Sequence, residues 1–364
     1  MLREKYLALD LLRGAAALAV FFCHVRGAAF VEFGALPASQ KTTAVATFFA
    51  LTRMGHEAVL VFFVLSGFLV GGSAINRALQ KQFDARAYAI DRATRIFIPL
   101  IPACILTVVI GSLALNSKPD WLQVGLNIVG LNEVFGATLT INAPLWSLAS
   151  EIWFYVFAGA AAYSLSKRGI NVTASVALLC AIAILANARI LYLLFWCLGA
   201  ASIFALSWRH KGAIALVGLL SFLIGCAIYE ADAPSRSFTN IVVMPAWISE
   251  MLVSIGVCLA LPFLCSSKLS GVLKPICKPV LYLSRMSYSL YLIHYPINCA
   301  LDIWLPRATE LSRASFAAFC VRGCLVFGGS LLFYLCFEAQ TGLVRRFLAR
   351  GSIIGRDKAQ YREY

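Results

Sequence analysis

Ten apolar runs, at about residues 7–25, 57–75, 96–115, 144–165, 172–188, 190–207, 212–229, 240–264, 280–303 and 316–337, are each long enough to cross a hydrocarbon layer of ~30 Å. They predict an all-α fold: a polytopic membrane bundle of about ten transmembrane helices. The makeup agrees, with 61% hydrophobic residues, 13% charged residues and a mean hydropathy of +0.82, too apolar for an average soluble protein. No hydrophilic stretch approaches the ~100 residues of an ordinary soluble domain. Residues 1–345 therefore read as a single membrane-embedded domain, followed by a basic cytoplasmic tail over 346–364. The segment Trp121 to Phe135 has helical periodicity but is short and polar, as expected of an amphipathic helix at the interface.

The 364 residues carry a formal net charge of +14, which by itself would fit nucleic acid or an anionic membrane surface. With the N-terminus inside, twenty-one Lys and Arg fall on cytoplasmic pieces. Nine fall on outer ones: Arg26, Lys41, Arg53, Lys118, Arg189, Arg236, Arg307, Arg313 and Arg322. That bias supports both termini in the cytoplasm, makes much of the charge topological and leaves no need for nucleic acid. The first run lacks a small-residue cleavage site and is expected to stay as a helix. The twelve cysteines are scattered through apolar stretches, without CxxC or a Cys/His cluster, so neither disulfide nor metal is expected. No internal repeat and no inverted pair of broken helices of the transporter kind is visible.

Within the first run, Arg13 and His24 lie eleven residues apart, close to three helical turns. Both then share one face, roughly 16 Å apart along the axis. An ionisable group in a transmembrane helix costs on the order of 2.5–3.5 kcal/mol on insertion scales, so such groups usually face a bundle interior or a wet cavity. The alternative is that Arg13 snorkels to the inner interface and His24 to the outer one. Topology puts Arg13 toward the cytoplasm and His24 toward the outside.

Other polar groups recur along the apolar runs. Arg92 and Arg95 share a helix face at the cytoplasmic mouth of the third run, a fork suited to phosphate oxygens or an ordinary positive-inside anchor. Trp146, Ser147 and Glu151 open the fourth run near the outer end, at a depth similar to His24. There Glu151 could orient an imidazole and Trp146 could stack on a pyranose ring, with Ser147 in support; an aromatic belt and a helix-start anion are the plainer reading. Ser66 and Gly67 remove bulk and permit close approach by a helix or a ligand. Tyr288, Tyr291 and His294 form a polar ladder along the ninth run, as compatible with a structural network as with a substrate site. A serine hydrolase built on Ser147 is disfavoured, since GxSxG is absent.

The stretches LDLLRG (Leu9 to Gly14) with His24, FFVLSGFL (Phe62 to Leu69), RATRIFIPL (Arg92 to Leu100), LWSLASEIWFY (Leu145 to Tyr155) and SYSLYLIHYPI (Ser287 to Ile297) stand in the order seen in the membrane acyltransferase-3 family. Singly each is weak; together the chain resembles these bacterial O-acyltransferases of surface polysaccharides, lipopolysaccharide and peptidoglycan. The resemblance implies a multi-pass protein of the bacterial inner membrane. Its acyl donor would be cytoplasmic acyl-CoA, with acetyl-CoA the expected co-substrate, and its acceptor a sugar hydroxyl of an exopolysaccharide or lipid-linked oligosaccharide on the periplasmic side. It implies Arg13 and His24 as the essential pair, with Arg92 and Arg95 near the nucleotide end of CoA and Ser66 and Gly67 beside the donor. Glu151 is expected to assist His24, and Trp146, Ser147, Tyr288, Tyr291 and His294 to line the acceptor side. The ~16 Å between Arg13 and His24 is comparable to an extended pantetheine arm.

Two departures stand out. FEAQTGLVRR lacks the proline expected after the glutamate, so Glu338 receives no role, and an extra-membrane SGNH-type domain of the kind some members append is not expected. The rival readings are a transporter of an acidic or acylated solute, and an acyltransferase for an antibiotic, peptidoglycan or periplasmic glucan. Partners beyond donor, acceptor and membrane lipids are not specified, and self-association is left open.

Overall fold

The computed structural model describes residues 6–167, 171–231 and 244–350; Arg3, Lys5, Arg168, Arg236 and the tail beyond 350 lie outside the described residues. The chain runs through α1 (Leu7–Ala29), α2 (Thr43–Leu51), α3 (Gly55–Ser66), a π turn (Gly67–Gly72), α4 (Ser73–Leu79), α5 (Ala85–Ala114) and α6 (Trp121–Val129). It continues with α7 (Leu145–Ser166), α8 (Val172–Ala201), α9 (Lys211–Ala231), α10 (Ala246–Leu264), α11 (Ser267–Leu273), α12 (Cys277–Leu301), α13 (Arg313–Cys336) and α14 (Thr341–Arg350). Among the described residues the only β pairing is a bridge between Phe30 and Ala308.

Several helix starts are written locally. Asp84 accepts the N–H groups of Arg86 and Ala87, Asp120 that of Gln123 and Asn171 that of Ala174, while Ser312 and Ser315 form a capping box on α13. Each supplies a partner for amides that a helix start otherwise leaves unpaired. The interfacial segment becomes α6, closed by Gly130 in the left-handed region at φ +71°. Glycine adopts that conformation without steric cost.

Eight helical stretches among the described residues are long and apolar enough to cross a membrane. The ten hydropathy runs map one each onto seven of these, two onto the halves of the eighth, which contains α8, and one onto α12. The break in α8 is Arg189, whose extended angles (φ −158°, ψ 95°) interrupt the helix between the fifth and sixth runs. α12 is more polar than these eight because its side chains serve the interior: it packs chiefly against α1, α13 and α5. Leu113, Leu219, Leu220 and Leu223 face outward, as lipid-facing residues do.

The largest core cluster gathers Phe63, Phe154, Tyr192, Phe195 and Trp196 from α3, α7 and α8. Against lipid, helices gain little from hiding apolar surface and rely on close packing and hydrogen bonds. The tightest approach is between the π turn and α8. A Cβ on Gly67 would run into the Trp196 carbonyl, and one on Gly199 into the Val64 carbonyl. These two glycines let backbone meet backbone.

Candidate active site

α1 carries Arg13 and His24 into the bundle against α12 and α3. The His24 ring is held by His294: His24 Nδ1 and His294 Nε2 are 2.9 Å apart, with ring centroids at 5.0 Å. His294 is 1% exposed, and its Nδ1 lies 2.8 Å from the Leu290 carbonyl oxygen and 2.9 Å from that of Tyr291. Carbonyl oxygens only accept, so His294 carries its proton on Nδ1 and its lone pair on Nε2. His24 must then donate from Nδ1. The remaining lone pair of the His24 ring falls on Nε2, the atom a base or nucleophile would use.

The main chain of His24 is anchored as well. Asn298 donates from Nδ2 to the His24 carbonyl at 2.9 Å. Asn298 in turn accepts from Arg322 Nη1, at 2.8 Å on Oδ1 and 3.0 Å on its carbonyl. The same Nη1 lies 2.9 Å from the Asp302 carboxylate, and Nη2 donates to the Leu305 carbonyl. Arg322, expected in an outer piece, is instead 1% exposed inside α13, because its fork fits the carbonyls left open where α12 ends. Arg53 and Arg26, also counted as outer cations, are buried too, at 2% and 3% exposure.

The ladder on α12 fastens three neighbouring helices. Tyr288 donates to the Ile96 carbonyl on α5 at 3.2 Å, and Tyr291 donates to the Pro144 carbonyl while accepting from Ser147 at 2.5 Å. His294 completes it at His24. Pro296 has no N–H for the Leu292 carbonyl one turn back, and Asn142 Nδ2 fills that vacancy at 2.9 Å. The hydroxyls of Ser147, Tyr288 and Tyr291, expected on the acceptor side, thus make helix-to-helix hydrogen bonds.

At the other end of α1, Arg13 Nη1 stands 3.8 Å from Asp10, whose carboxylate accepts Ser284 Oγ at 2.7 Å. Arg95, Glu151 and Tyr155 also stand in the charged and polar surroundings of Arg13. Glu151 accepts from Ser66 at 2.6 Å, and Trp196 Nε1 donates to the same Ser66 hydroxyl at 3.1 Å. Tyr155 hydrogen bonds the Glu151 carboxylate from one turn further along α7. The expected pairing of Glu151 with His24 is therefore corrected: the carboxylate belongs to the Arg13 end, because α7 brings it to Ser66 on α3, and a histidine orients His24.

Arg92 pairs with Asp91, which also takes Arg345 from α14 at 2.6 Å, and its guanidinium lies 5.5 Å over the Tyr155 ring. Arg95 is exposed and faces Arg13 and Glu151. Gly67 is taken up by the backbone of α8, which leaves Ser66 as the functional group of that motif at this cluster. Glu338 accepts from the backbone N–H of Ser289 at 2.9 Å and from its hydroxyl at 2.6 Å, near Arg95 and Arg13. The sequence signal for it was a carboxylate just after an apolar run, with its partner unknown.

Trp146 stacks on His56, with centroids at 6.3 Å and planes 17° apart, so one face of the ring that could have met a pyranose is covered. His56 also stacks on Tyr229 at 4.9 Å, and its Nε2 donates to Glu250 at 2.7 Å. Arg189, at the break in α8, stands 3.9 Å from Glu250 and donates to Tyr192 at 2.8 Å. This second polar knot was not anticipated. Its members come from runs whose motifs point elsewhere.

Among the described residues, no group of three or more His, Cys, Asp or Glu could hold a metal ion. Residues 6–335 match the acyltransferase-3 family, described as an acyltransferase domain. The chain is thus a multi-pass membrane protein that belongs to the acyltransferase-3 family. It is similar to a protein of Shigella phage Sf6 named O-acetyl transferase, at 30% identity over 126 residues, or 31% of this chain. The match spans 36% of that relative's length. No solved structure matches the chain.

Proposed function

We propose that the protein is an O-acyltransferase of the bacterial inner membrane that moves an acyl group, most simply acetyl, from cytoplasmic acyl-CoA to a sugar hydroxyl of an exopolysaccharide or other surface glycan on the periplasmic side. Ten spans with both termini in the cytoplasm would put Arg13 at the inner end of α1 and His24 at the outer end. Family membership supports the reaction class, and the phage relative's name supports oxygen as the acceptor atom and acetyl as the group.

The observation that carries the reading is the hydrogen-bond chain from the Leu290 and Tyr291 carbonyls through His294 to His24. It leaves the lone pair of the His24 ring on Nε2. That atom either takes the proton of the acceptor hydroxyl as its oxygen attacks the thioester carbonyl, or attacks that carbonyl itself and holds the acyl group for the sugar oxygen. In both routes the carbon–sulfur bond breaks and its electron pair leaves on the CoA sulfur. A positioned general base contributes typically 10²–10⁴-fold. Arg13 and Arg95, balanced by Glu151, offer cations for the CoA phosphates, with Arg92 beside them.

The test uses the purified full chain in lipid nanodiscs with acetyl-CoA. Release of CoA that disappears in His24→Ala is expected. Full turnover in that variant would overturn the role of His24, and solute uptake without thioester cleavage would replace the enzyme by a transporter.

A further inference from the structure

A groove of about 690 Å³ runs between α5, α7 and the start of α8. Its back is the seam where α5 meets α7. There the Tyr88 ring lies against Gly159, where a Cβ would come within 2.9 Å of it, and the Tyr88 hydroxyl donates to the Tyr155 carbonyl at 2.9 Å. Tyr88, Tyr163 and Asn171 line one end of the groove, and Ile96, Phe97 and Ile152 line the other. With both termini in the cytoplasm, α5 and the first half of α8 run outward and α7 runs inward, so all three helices put the polar end at the cytoplasmic surface and the apolar end toward the bilayer centre. The nine residues from Tyr88 to Phe97 advance about 13.5 Å along α5, close to the ~15 Å of hydrocarbon in one leaflet.

The charge at the polar end is positive. Arg92 lines the groove, and its Nε–H is buried with no hydrogen-bond partner among the described residues. A buried donor left unpaired is costly, and phosphate oxygens suit a guanidinium well. Asp91 does not neutralise the region, because Arg92 and Arg345 share it, while Glu151 also faces Arg13 and Arg95. Lys167, exposed at the end of α7, sets its ammonium 5.9 Å over the Tyr163 ring. The fitting occupant has an anionic head and a long apolar tail. CoA is a poor match, since it brings several phosphate charges and an adenosine, whereas the walls beyond Arg92 are Ala93, Ile96, Phe97 and Val156.

We infer that this groove is a binding site for an anionic phospholipid of the inner leaflet, with its phosphate on Arg92 and one acyl chain laid along Ile96, Phe97 and Ile152. The inference goes beyond the transferase reading and rests on its topology, not on its chemistry. Native mass spectrometry of the full chain, delipidated in detergent and titrated with palmitoyl-oleoyl phosphatidylglycerol or phosphatidylcholine, counts the lipid bound. The wild type should hold one phosphatidylglycerol about tenfold more tightly than phosphatidylcholine. Arg92→Gln should weaken phosphatidylglycerol about tenfold, the worth of one charge-assisted hydrogen bond. Ala93→Phe, at an exposed position on the groove wall, should lose the bound lipid of either kind. Equal affinity of the wild type for the two lipids, or a wild-type binding curve in either variant, would overturn the site. Displacement of bound phosphatidylglycerol by CoA would overturn it too, by giving the groove to the donor. CoA release from acetyl-CoA, read on the same preparation, tests the transferase reading separately: its absence beside a lipid lost in Ala93→Phe would sink that reading and leave the lipid site standing.

Discussion

The Ser66 hydroxyl donates to the Glu151 carboxylate at 2.6 Å, joining the start of the π turn to α7 at the level of Arg13 and Arg95. The carboxylate there offsets two cations that would otherwise repel each other and attract anions. Glu151→Gln keeps an acceptor for Ser66 and removes that charge. The KM for acyl-CoA should fall several-fold and depend more steeply on salt, since the remaining cations act on phosphates through screened Coulomb attraction. Steady-state kinetics at two ionic strengths checks this; a kcat loss with unchanged KM would assign Glu151 to the chemical step.

His294 fixes the proton on His24 Nδ1. His294→Leu removes the acceptor, and CoA release from acetyl-CoA should drop about 10²-fold, the low end of what a positioned base supplies. His294→Gln offers an amide oxygen in its place and should recover part of the loss. Equal residual rates in the two variants would show that the hydrogen bond is not what matters.

Asn142 fills the vacancy left by Pro296. Asn142→Leu orphans the buried Leu292 carbonyl and should cost about 1–3 kcal/mol. Pro296→Ala restores a backbone N–H for that carbonyl, so the double variant should lose less than the sum of the single ones. Thermal unfolding in detergent measures the cycle, and strictly additive losses would refute the proposed link.

Gly67 faces the carbonyl of Trp196 with no room for a methyl group. Gly67→Ala forces two backbones apart, and overpacking of this kind costs typically 1–3 kcal/mol. The recovery of folded protein in size-exclusion chromatography should fall, and with it the Ser66 bridge to Glu151. An unchanged melting temperature would mean that α8 can shift freely.

Hydropathy alone located the long helices, including the two halves of α8 on either side of Arg189, because crossing lipid demands a length of apolar chain that local sequence must supply. The same local view counted Arg322 with an outer piece, whereas it lies buried within α13. Counting cations assumes that each faces water or headgroups, whereas a guanidinium with enough carbonyl and carboxylate partners can be held inside. Glu151 was assigned to His24 from its depth along α7. Depth on one helix does not say which neighbour lies across from it, and the partner turned out to be Ser66 on α3. His294 was legible as a polar residue in a membrane helix, but its bond to His24 links residues 270 positions apart, which no spacing rule reaches.

The π turn at Gly67–Gly72 has a consequence for chain length. A π turn is an α-helix with one residue too many, taken up in a single wide turn. Deleting one residue here would let α3 run straight into α4 with both keeping their present faces, whereas a deletion elsewhere in either helix would rotate everything after it. This is where the bundle can tolerate a change of length, and Ser66, at the edge of the wide turn, is the group whose aim would change with it.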